Sequence, residues 1–323
     1  MTFSFLSPFN EVEILVTGGA GFIGSHICDR LLSLGGRVTC IENFDPYYGQ
    51  KNSNLGEALS NQHFKLLHAD ITKTSLDETG GDYDFLFHLA GQAGVRYSLD
   101  FPHKAYNVNF MGTVNVLEFA RKHDVGKLVV ASTSSVYGNA AKFPVSEDTE
   151  PNPISPYGMS KMIMERVCRQ YADLYGIKLV LLRYHTVYGP RQRPDMAIRK
   201  WITAVLRSQQ PVIFGDGLQT RDFTFVNDIV DGTLQAAEKG RSMGTYNLGS
   251  GRQVVVNDVI TKIIKLTNSN VSIQHESKKE GDVQDTYADI TKAKTELGYN
   301  PKVSLNDGLL AEIAWLKSVL QGP

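Results

Sequence analysis

An α/β architecture, a parallel sheet covered by helices on both faces, is the expectation for this chain, and three observations carry it. Short β-rich runs alternate with helix-period segments through residues 11–183. A glycine cluster closes the first run and opens the first helical segment. The 323 residues, 42% apolar and 21% charged, have the balance of a globular chain large enough for one big domain or two unequal ones. Glu13–Thr17 contains Ile-Leu-Val and reads as a strand. Residues 21–34 bring Phe22, Ile23, Ile27, Leu31 and Leu34 near helical spacing. Residues 37–41, 64–68, 85–89, 127–132 and 180–183 read as further strands, and 43–54 as a loop. Residues 105–122 and 157–175 read as helices. Past residue 183 the alternation loosens, with helical patterns at 196–209, 252–268 and 304–320. The expected organisation is a Rossmann-like, doubly wound parallel sheet over 11–183, with a return segment near 224–248. A smaller C-terminal α/β substrate-binding lobe would comprise 184–223 and 249–320.

Charge excludes several function classes. Lys+Arg is 33 and Asp+Glu is 34, a net charge of −1, so no field draws nucleic acid or an anionic membrane to the surface. No apolar run approaches the roughly 20 residues of a bilayer span. The opening Met1–Pro8 stretch has no basic residue before its apolar ones, so a cytoplasmic protein without a secretory signal is expected. Cys28, Cys40 and Cys168 are too few and scattered for a disulfide framework or a zinc site. Buried, reduced thiols and no metal are the expectation.

The glycine cluster is Gly18-Gly19-Ala20-Gly21-Phe22-Ile23-Gly24. In this strand–turn–helix context Gly18 allows the tight turn, Gly21 lets backbone approach a pyrophosphate, and Gly24 lets helix and strand pack closely. Glu42 ends the next strand about 20 residues on, where a carboxylate accepts from ribose hydroxyls and repels a 2′-phosphate. NAD rather than NADP is therefore the expected cofactor. Asp70 either holds the adenine amine or is a turn or helix-cap residue; the sequence leaves both open.

Tyr157 and Lys161 stand at i and i+4, on one helix face. A phenol of pKa near 10 is a poor base at neutral pH, but a neighbouring ammonium and a nicotinamide cation each favour the phenolate. Such a group can take a proton from a sugar hydroxyl as hydride leaves. Ser132-Thr133-Ser134-Ser135, at a strand end upstream, supplies hydroxyls for the same site.

These motifs resemble the extended short-chain dehydrogenase/reductases, and among them the nucleotide-sugar 4-epimerases, over about residues 14–315. The resemblance is carried by Thr-Gly-Gly-Ala-Gly-Phe-Ile-Gly (17–24), His-Leu-Ala-Gly-Gln-Ala-Gly-Val-Arg (88–96), Ala-Ser-Thr-Ser-Ser-Val-Tyr-Gly (131–138) and Ser-Pro-Tyr-Gly-Met-Ser-Lys (155–161). Residues 183–196 and 213–224 extend it, and 183–196 with Asp45-Pro46-Tyr47-Tyr48 is most similar to UDP-glucuronate 4-epimerases. The resemblance implies a catalytic set of Thr133, holding the reacting 4-oxygen, Tyr157 as acid/base, and Lys161 on the nicotinamide ribose. It implies cofactor contacts from Phe22, Ile23, Asn43, Ile71, Leu89, Ala90, Gly91, Asn109, Ser132, Tyr184 and Val187 beside Gly18, Gly21, Gly24, Glu42 and Asp70. It places the UDP-sugar on Ser134, Ser135, Thr186, Met196, Ile213 and Phe214. Arg193 and Arg221, assisted by Arg96, would take the diphosphate, and Asp282 the uridine ribose, next to a Glu280 that departs from the family's usual Pro or Arg.

Within that family the residues after Thr133 separate the chemistries. A 4,6-dehydratase carries Asp-Glu there and a UDP-glucuronate decarboxylase Glu at the second position; this chain has Ser134-Ser135. Hydroxyls cannot replace a carboxyl acid/base pair near neutral pH. The expected reaction interconverts UDP-glucuronate and UDP-galacturonate through a 4-keto intermediate, with a UDP-glucose 4-epimerase and then a decarboxylase as alternatives. A non-catalytic NAD-bound protein is the reading from another class. The resemblance also implies a homodimer through the helices at 105–122 and 157–175, where Val108, Met111, Met162, Met164 and Val167 are candidates.

Overall fold

The computed structural model describes residues 7–49, 51–73, 76–278 and 283–321. Its centre is a seven-stranded parallel sheet. Six strands come from β1 (Glu13–Thr17), β2 (Arg37–Glu42), β3 (Phe64–His68), β4 (Phe85–His88), β5 (Lys127–Thr133) and β6 (Leu179–Tyr184). Gly244–Leu248 is the seventh, and the spatial order is Gly244–Leu248, β6, β5, β4, β1, β2, β3. The chain winds from β1 outward to β3, then crosses back to β4 on the other side of β1. Such a switch point opens a crevice at the carboxyl ends of the strands, where doubly wound sheets bind ligands.

The strands are near-continuous apolar runs because both faces are covered. Alternate residues serve different cores. Ile14, Val16, Phe87, Val129, Val180 and Leu182 face the helix α1 (Phe22–Ser33) and the Val226–Lys239 helix. Leu15, Ile41, Leu86, Leu128, Val130, Leu179 and Leu181 face the Gly112–Lys122 and Pro156–Tyr175 helices. The first core runs on into the C-terminal lobe through Trp201, Ile202, Ile213, Ile260, Ile263, Leu309 and Ile313. All three cysteines are free and buried.

Several expectations need correction. The helix expected over 105–122 begins at Pro102 and carries a π-turn over Asn107–Met111 before Gly112–Lys122. The region expected as one helix over 252–268 is a strand, Val254–Val255, followed by the Val256–Leu266 helix. The loop after β2 ends in a helical turn, Lys51–Asn54. The lobe also holds two- and three-residue strands: Thr186–Tyr188 pairs with Phe223–Phe225, Val212–Phe214 with Gln274–Glu276, and Thr220–Arg221 with Val254–Val255.

The turn between β1 and α1 shows why its glycines are needed. Gly18 has φ +73°, and a Cβ on it would lie 2.6 Å from the Ala90 backbone nitrogen. A Cβ on Gly24 would lie 2.2 Å from the Gly18 carbonyl oxygen. Both obstacles are backbone, so the turn itself would have to move. Gly24→Ala is therefore expected to lower Tm by about 5 °C or more and to strip bound dinucleotide, while Gly56→Ala, in ordinary contact with its surroundings, does neither. Thermal melting and the dinucleotide content of the purified protein check this; equal behaviour of the two variants would refute the packing argument.

Candidate functional site

The crevice widens into a cleft open to solvent at its mouth. Gly18, Gly21, Phe22, Ile23 and Gly24 line it at the turn before α1. Glu42, Asn43, Asp70 and Ile71 line it beyond β2 and β3, and Leu89, Ala90, Gly91, Ser132, Tyr157, Lys161 and Tyr184 beyond β4 to β6. Arg193 reaches it from the lobe. Gly21 is the N-cap of α1 and supplies no side-chain cap, while the Phe22 N–H meets the Tyr48 hydroxyl. A helix N-terminus of this kind takes a pyrophosphate. Glu42 is buried at the end of β2 and accepts from the Phe44 N–H at 3.1 Å and from Lys51 at 3.0 Å through Oε1. A helix start without a side-chain cap, facing a buried carboxylate at the end of the next strand, fits a dinucleotide. Asp70 lines the cleft and closes a turn at once: Oδ1 accepts from the Thr72 N–H and hydroxyl at 2.9 and 2.7 Å, and Oδ2 from Asn43 at 3.3 Å.

The reactive end is built by laying the Pro156–Tyr175 helix on the end of β5. Ser155 caps the helix, accepting from the Gly158 N–H at 3.1 Å, and Pro156 fills the first turn. Tyr157, Lys161 and Glu165 then fall at i, i+4 and i+8 on one face. Each meets one of three consecutive strand residues. Tyr157 hydrogen-bonds Thr133. Lys161 donates to the Ala131 carbonyl at 2.8 Å. Glu165 accepts from the Ser132 hydroxyl at 2.5 Å. Thr133 Oγ1 also accepts from the Ser135 N–H at 3.1 Å and donates to the Ser135 hydroxyl at 3.2 Å.

Glu165 was not singled out from the sequence. It forms a buried two-pronged ion pair with Arg183 of β6, at 3.0 and 2.7 Å. Arg183 donates onward to the Tyr137 hydroxyl at 2.9 Å, and Tyr137 to Asn247 Oδ1 at 2.7 Å. Tyr137 is thus part of a hydrogen-bonded chain. His88 is a second omission. It is buried between the Thr17 and Thr113 hydroxyls at 2.7 and 2.9 Å, where burial pushes its pKa down to about 3 and keeps it neutral.

The electrostatics revise one expectation. Burial raises the Tyr157 pKa; the Thr133 hydrogen bond and the Arg193 charge oppose the rise. Lys161 was expected to supply that relief. Its ammonium instead points at the Ala131 carbonyl, with Met164 Sδ at 3.7 Å. Burial pushes Lys161 itself down to about 8, against the pull of Cys168 and Glu165.

Except for Arg193, the other expected site residues described sit behind or beside the cleft. Asn109, in the π-turn, is fully buried; it accepts from the Gln92 N–H at 2.8 Å and donates to the Gln92 carbonyl and the Ser160 hydroxyl. It holds the walls rather than lining them. Val187 and Ile213 are core residues, and Met196 packs against the same core. Thr186 is part-exposed on its short strand, next to the buried His185. The Arg96 guanidinium lies over the Phe214 ring at 4.4 Å. Arg221 donates to the carbonyls of Thr220, Val283 and Gln284. Arg193 forks onto Asp195 at 2.9 and 3.0 Å, and Tyr47 donates to the same carboxylate at 3.2 Å. Burial works against the Arg193 charge, but Asp195 holds its pKa above the ordinary range. Asp282 and Glu280 lie outside the described residues.

Comparison with known proteins bears on this geometry. The NAD dependent epimerase/dehydratase family matches residues 14–249. The UDP-glucuronate 4-epimerase of Thermodesulfobacterium geofontis is 37% identical over 314 residues, 95% of this chain and 97% of that protein. The crystal structure of UDP-glucuronic acid 4-epimerase from Bacillus cereus in complex with UDP-glucuronic acid and NAD superposes with TM-score 0.90 at 40% identity, covering 94% of this chain and 99% of that one. UDP-glucose 4-epimerase from Thermotoga maritima with UDP-glucose gives TM-score 0.89 at 34% identity, covering 95% and 99%.

Around the Lys161 ammonium stand Glu165 and Cys168 from its own helix, neutral His88 from β4 and the Ala131 carbonyl from β5. Glu165→Gln removes the anion that supports the ammonium and leaves Arg183 uncompensated nearby. The Lys161 pKa should then fall below about 8. The alkaline limb of the kcat/KM profile should move to lower pH, and Glu165→Asp should restore part of it. A profile that keeps its alkaline limb in Glu165→Gln, with only a uniform loss of rate, would show that Glu165 does not act on Lys161.

Proposed function

The chain belongs to the NAD dependent epimerase/dehydratase family, and on that premise we propose that it is a 4-epimerase interconverting UDP-glucuronate and UDP-galacturonate. The observation that carries the reading is the Tyr157–Thr133 contact in a cofactor cleft where Thr133 is followed by Ser134 and Ser135, not by carboxylates. Bound NAD supplies the reversible acceptor for the hydrogen on carbon 4, and its cationic ring the charge that favours a Tyr157 phenolate. Thr133 holds the 4-oxygen and Tyr157 removes its proton. Lys161 anchors the nicotinamide ribose. Arg193 and Arg221 hold the diphosphate by planar two-pronged contacts, with Arg96 beside them and Asp282 on the uridine ribose. The 4-keto sugar turns over while the diphosphate stays anchored, the hydrogen returns to the opposite face of carbon 4, and Tyr157 gives the proton back to oxygen 4.

A 4-keto uronate is a β-keto acid and loses CO₂ when the carboxylate bond aligns with the carbonyl π system. The hydroxyls of Thr133, Ser134, Ser135 and Thr186 satisfy the carboxylate without a full counter-charge and hold it out of that alignment. The same reading makes the protein a cytoplasmic homodimer. Met164 is fully buried and drops out of the candidate interface, whereas Phe101, Met111, Leu174 and Tyr175 are exposed. Among the described residues no helix is long and apolar enough to cross a membrane.

Incubation with UDP-glucuronate should give UDP-galacturonate on a chromatogram. Turnover of UDP-glucose alone would move the assignment to the glucose epimerases, and pentose as the main product to the decarboxylases. Tyr157→Phe should lower kcat by at least about 10²-fold, and full turnover in that variant would remove the mechanism. The double variant Thr186→Ala, Ser135→Ala should raise the UDP-4-keto-pentose by-product; mass spectra unchanged from wild type would refute the restraint.

A further inference from the structure

The segment that delivers Arg193 is a tight turn. The Gln192 N–H donates to the Gly189 carbonyl at 3.1 Å, with Pro190 and Arg191 between them. Arg191 has φ +65°. Pro in the second place and positive φ in the third is the arrangement of a type II turn, whose third place ordinarily takes Gly or Asn. A long side chain persists there against its backbone preference when the surroundings over-determine it.

Those surroundings are α1. Arg191 Nη1 pairs with Asp29 Oδ2 at 2.5 Å, both side chains mostly buried. His26 Nε2 donates to the Pro190 carbonyl at 2.9 Å. Burial pushes the His26 pKa down to about 4, so the ring stays neutral and the contact does not switch near neutral pH. His26 also meets the Phe22 ring edge-on, and Phe22 lines the cofactor cleft. On its far side the turn is fastened to the lobe: Glu312 accepts from the Gly189 N–H at 2.8 Å, Gln192 donates to the Val187 carbonyl, and Arg199 donates to the Gln192 carbonyl. The turn is a clip between the lobe and the helix whose N-terminus faces the cofactor pyrophosphate.

We propose that Asp29 and Arg191 are positioning residues for the nucleotide-diphosphate group. Their ion pair, with His26 on Pro190, docks the turn on α1 and so fixes where Arg193 enters the cleft. The inference rests on the reading of Arg193 as a diphosphate ligand. It adds two residues that do not line the cleft, and ties Arg193 to the helix at the cofactor end. Asp29 Oδ1 is buried without a hydrogen-bond partner, so removing Arg191 alone would strand a carboxylate. The informative variant removes both charges and relaxes the backbone: Asp29→Asn with Arg191→Gly.

The double variant should melt within a few degrees of wild type and keep its full NAD content. KM for UDP-glucuronate, and the Kd of UDP by calorimetry, should rise about fivefold, with kcat within about twofold. The two single variants should not add, because both open one clip. Arg193→Ala, measured alongside, separates the two ideas. If it weakens UDP while the double variant leaves Kd and KM unchanged, the clip is overturned and the reading of Arg193 stands. If Arg193→Ala has no effect on UDP, the reading of Arg193 falls and the clip, which acts through it, falls with it. Equal loss of NAD and UDP in the double variant would show a structural role only and would also overturn the proposal.

Discussion

Everything reactive in this protein is held by the seating of one helix on one strand end. Tyr157, Lys161 and Glu165 sit one turn apart, and Thr133, Ala131 and Ser132 receive them. The arrangement places a lysine, a glutamate and an arginine in the interior, where each unpaired charge would be expensive. It holds because the groups satisfy one another: Glu165 takes both prongs of Arg183 and the Ser132 hydroxyl, and Lys161 has a carbonyl in reach. Removing one partner leaves the others buried with less support. This mutual satisfaction fixes the helix on the strand end, and with it Tyr157 relative to the cleft.

The same cluster reaches the second lobe. Beyond Arg183 the chain of contacts passes through Tyr137 to Asn247 on the edge strand of the sheet. Asn247 donates to the Val145 and Asp289 carbonyls, and its own N–H to Glu147. Val145 and Ala288 form a bridge, and Asp222 gathers Ser250, Gly251 and Ala288 around its carboxylate. The segments that would hold the sugar nucleotide are therefore referenced to the β5–β6 end of the sheet by buried polar contacts, not by apolar packing alone. Directional bonds suit this task better than a hydrophobic contact, which tolerates sliding.

How far the sequence reveals this depends on whether a feature is local. The parallel strands were legible because a strand buried on both faces is a continuous apolar run, and the glycine turn because only glycine tolerates φ +73° with backbone 2.6 Å from a Cβ. Tyr157 and Lys161 were legible from helical spacing. Glu165 obeys the same spacing, one turn on, and Arg183 interrupts the apolar run Leu-Val-Leu-Leu in β6; a charge in a buried strand asks for a partner. Neither alone names the other, because their pairing is set by the sheet order and not by sequence distance. The strands of two and three residues in the lobe lie below any periodicity, and the π-turn at Asn107–Met111 leaves no mark on the helical pattern.

Arg193 enters the cleft with its charge already paired. Its fork is already matched by Asp195, whose carboxylate is steadied by Tyr47, and Tyr47 packs on Tyr97 at 4.5 Å between centroids. A diphosphate arriving at Arg193 meets a guanidinium already oriented, and need not order a free side chain. It must also share that fork with Asp195 or displace it. Displacement would free the acid and loosen Tyr47 and the loop that carries it; sharing leaves both in place and makes the arginine the centre of two anions. The Arg193 charge favours the Tyr157 phenolate as well. On the proposed reading a second anion at Arg193 weakens that support, so the phenolate then depends on the Thr133 hydrogen bond and on the charge a bound cofactor would bring.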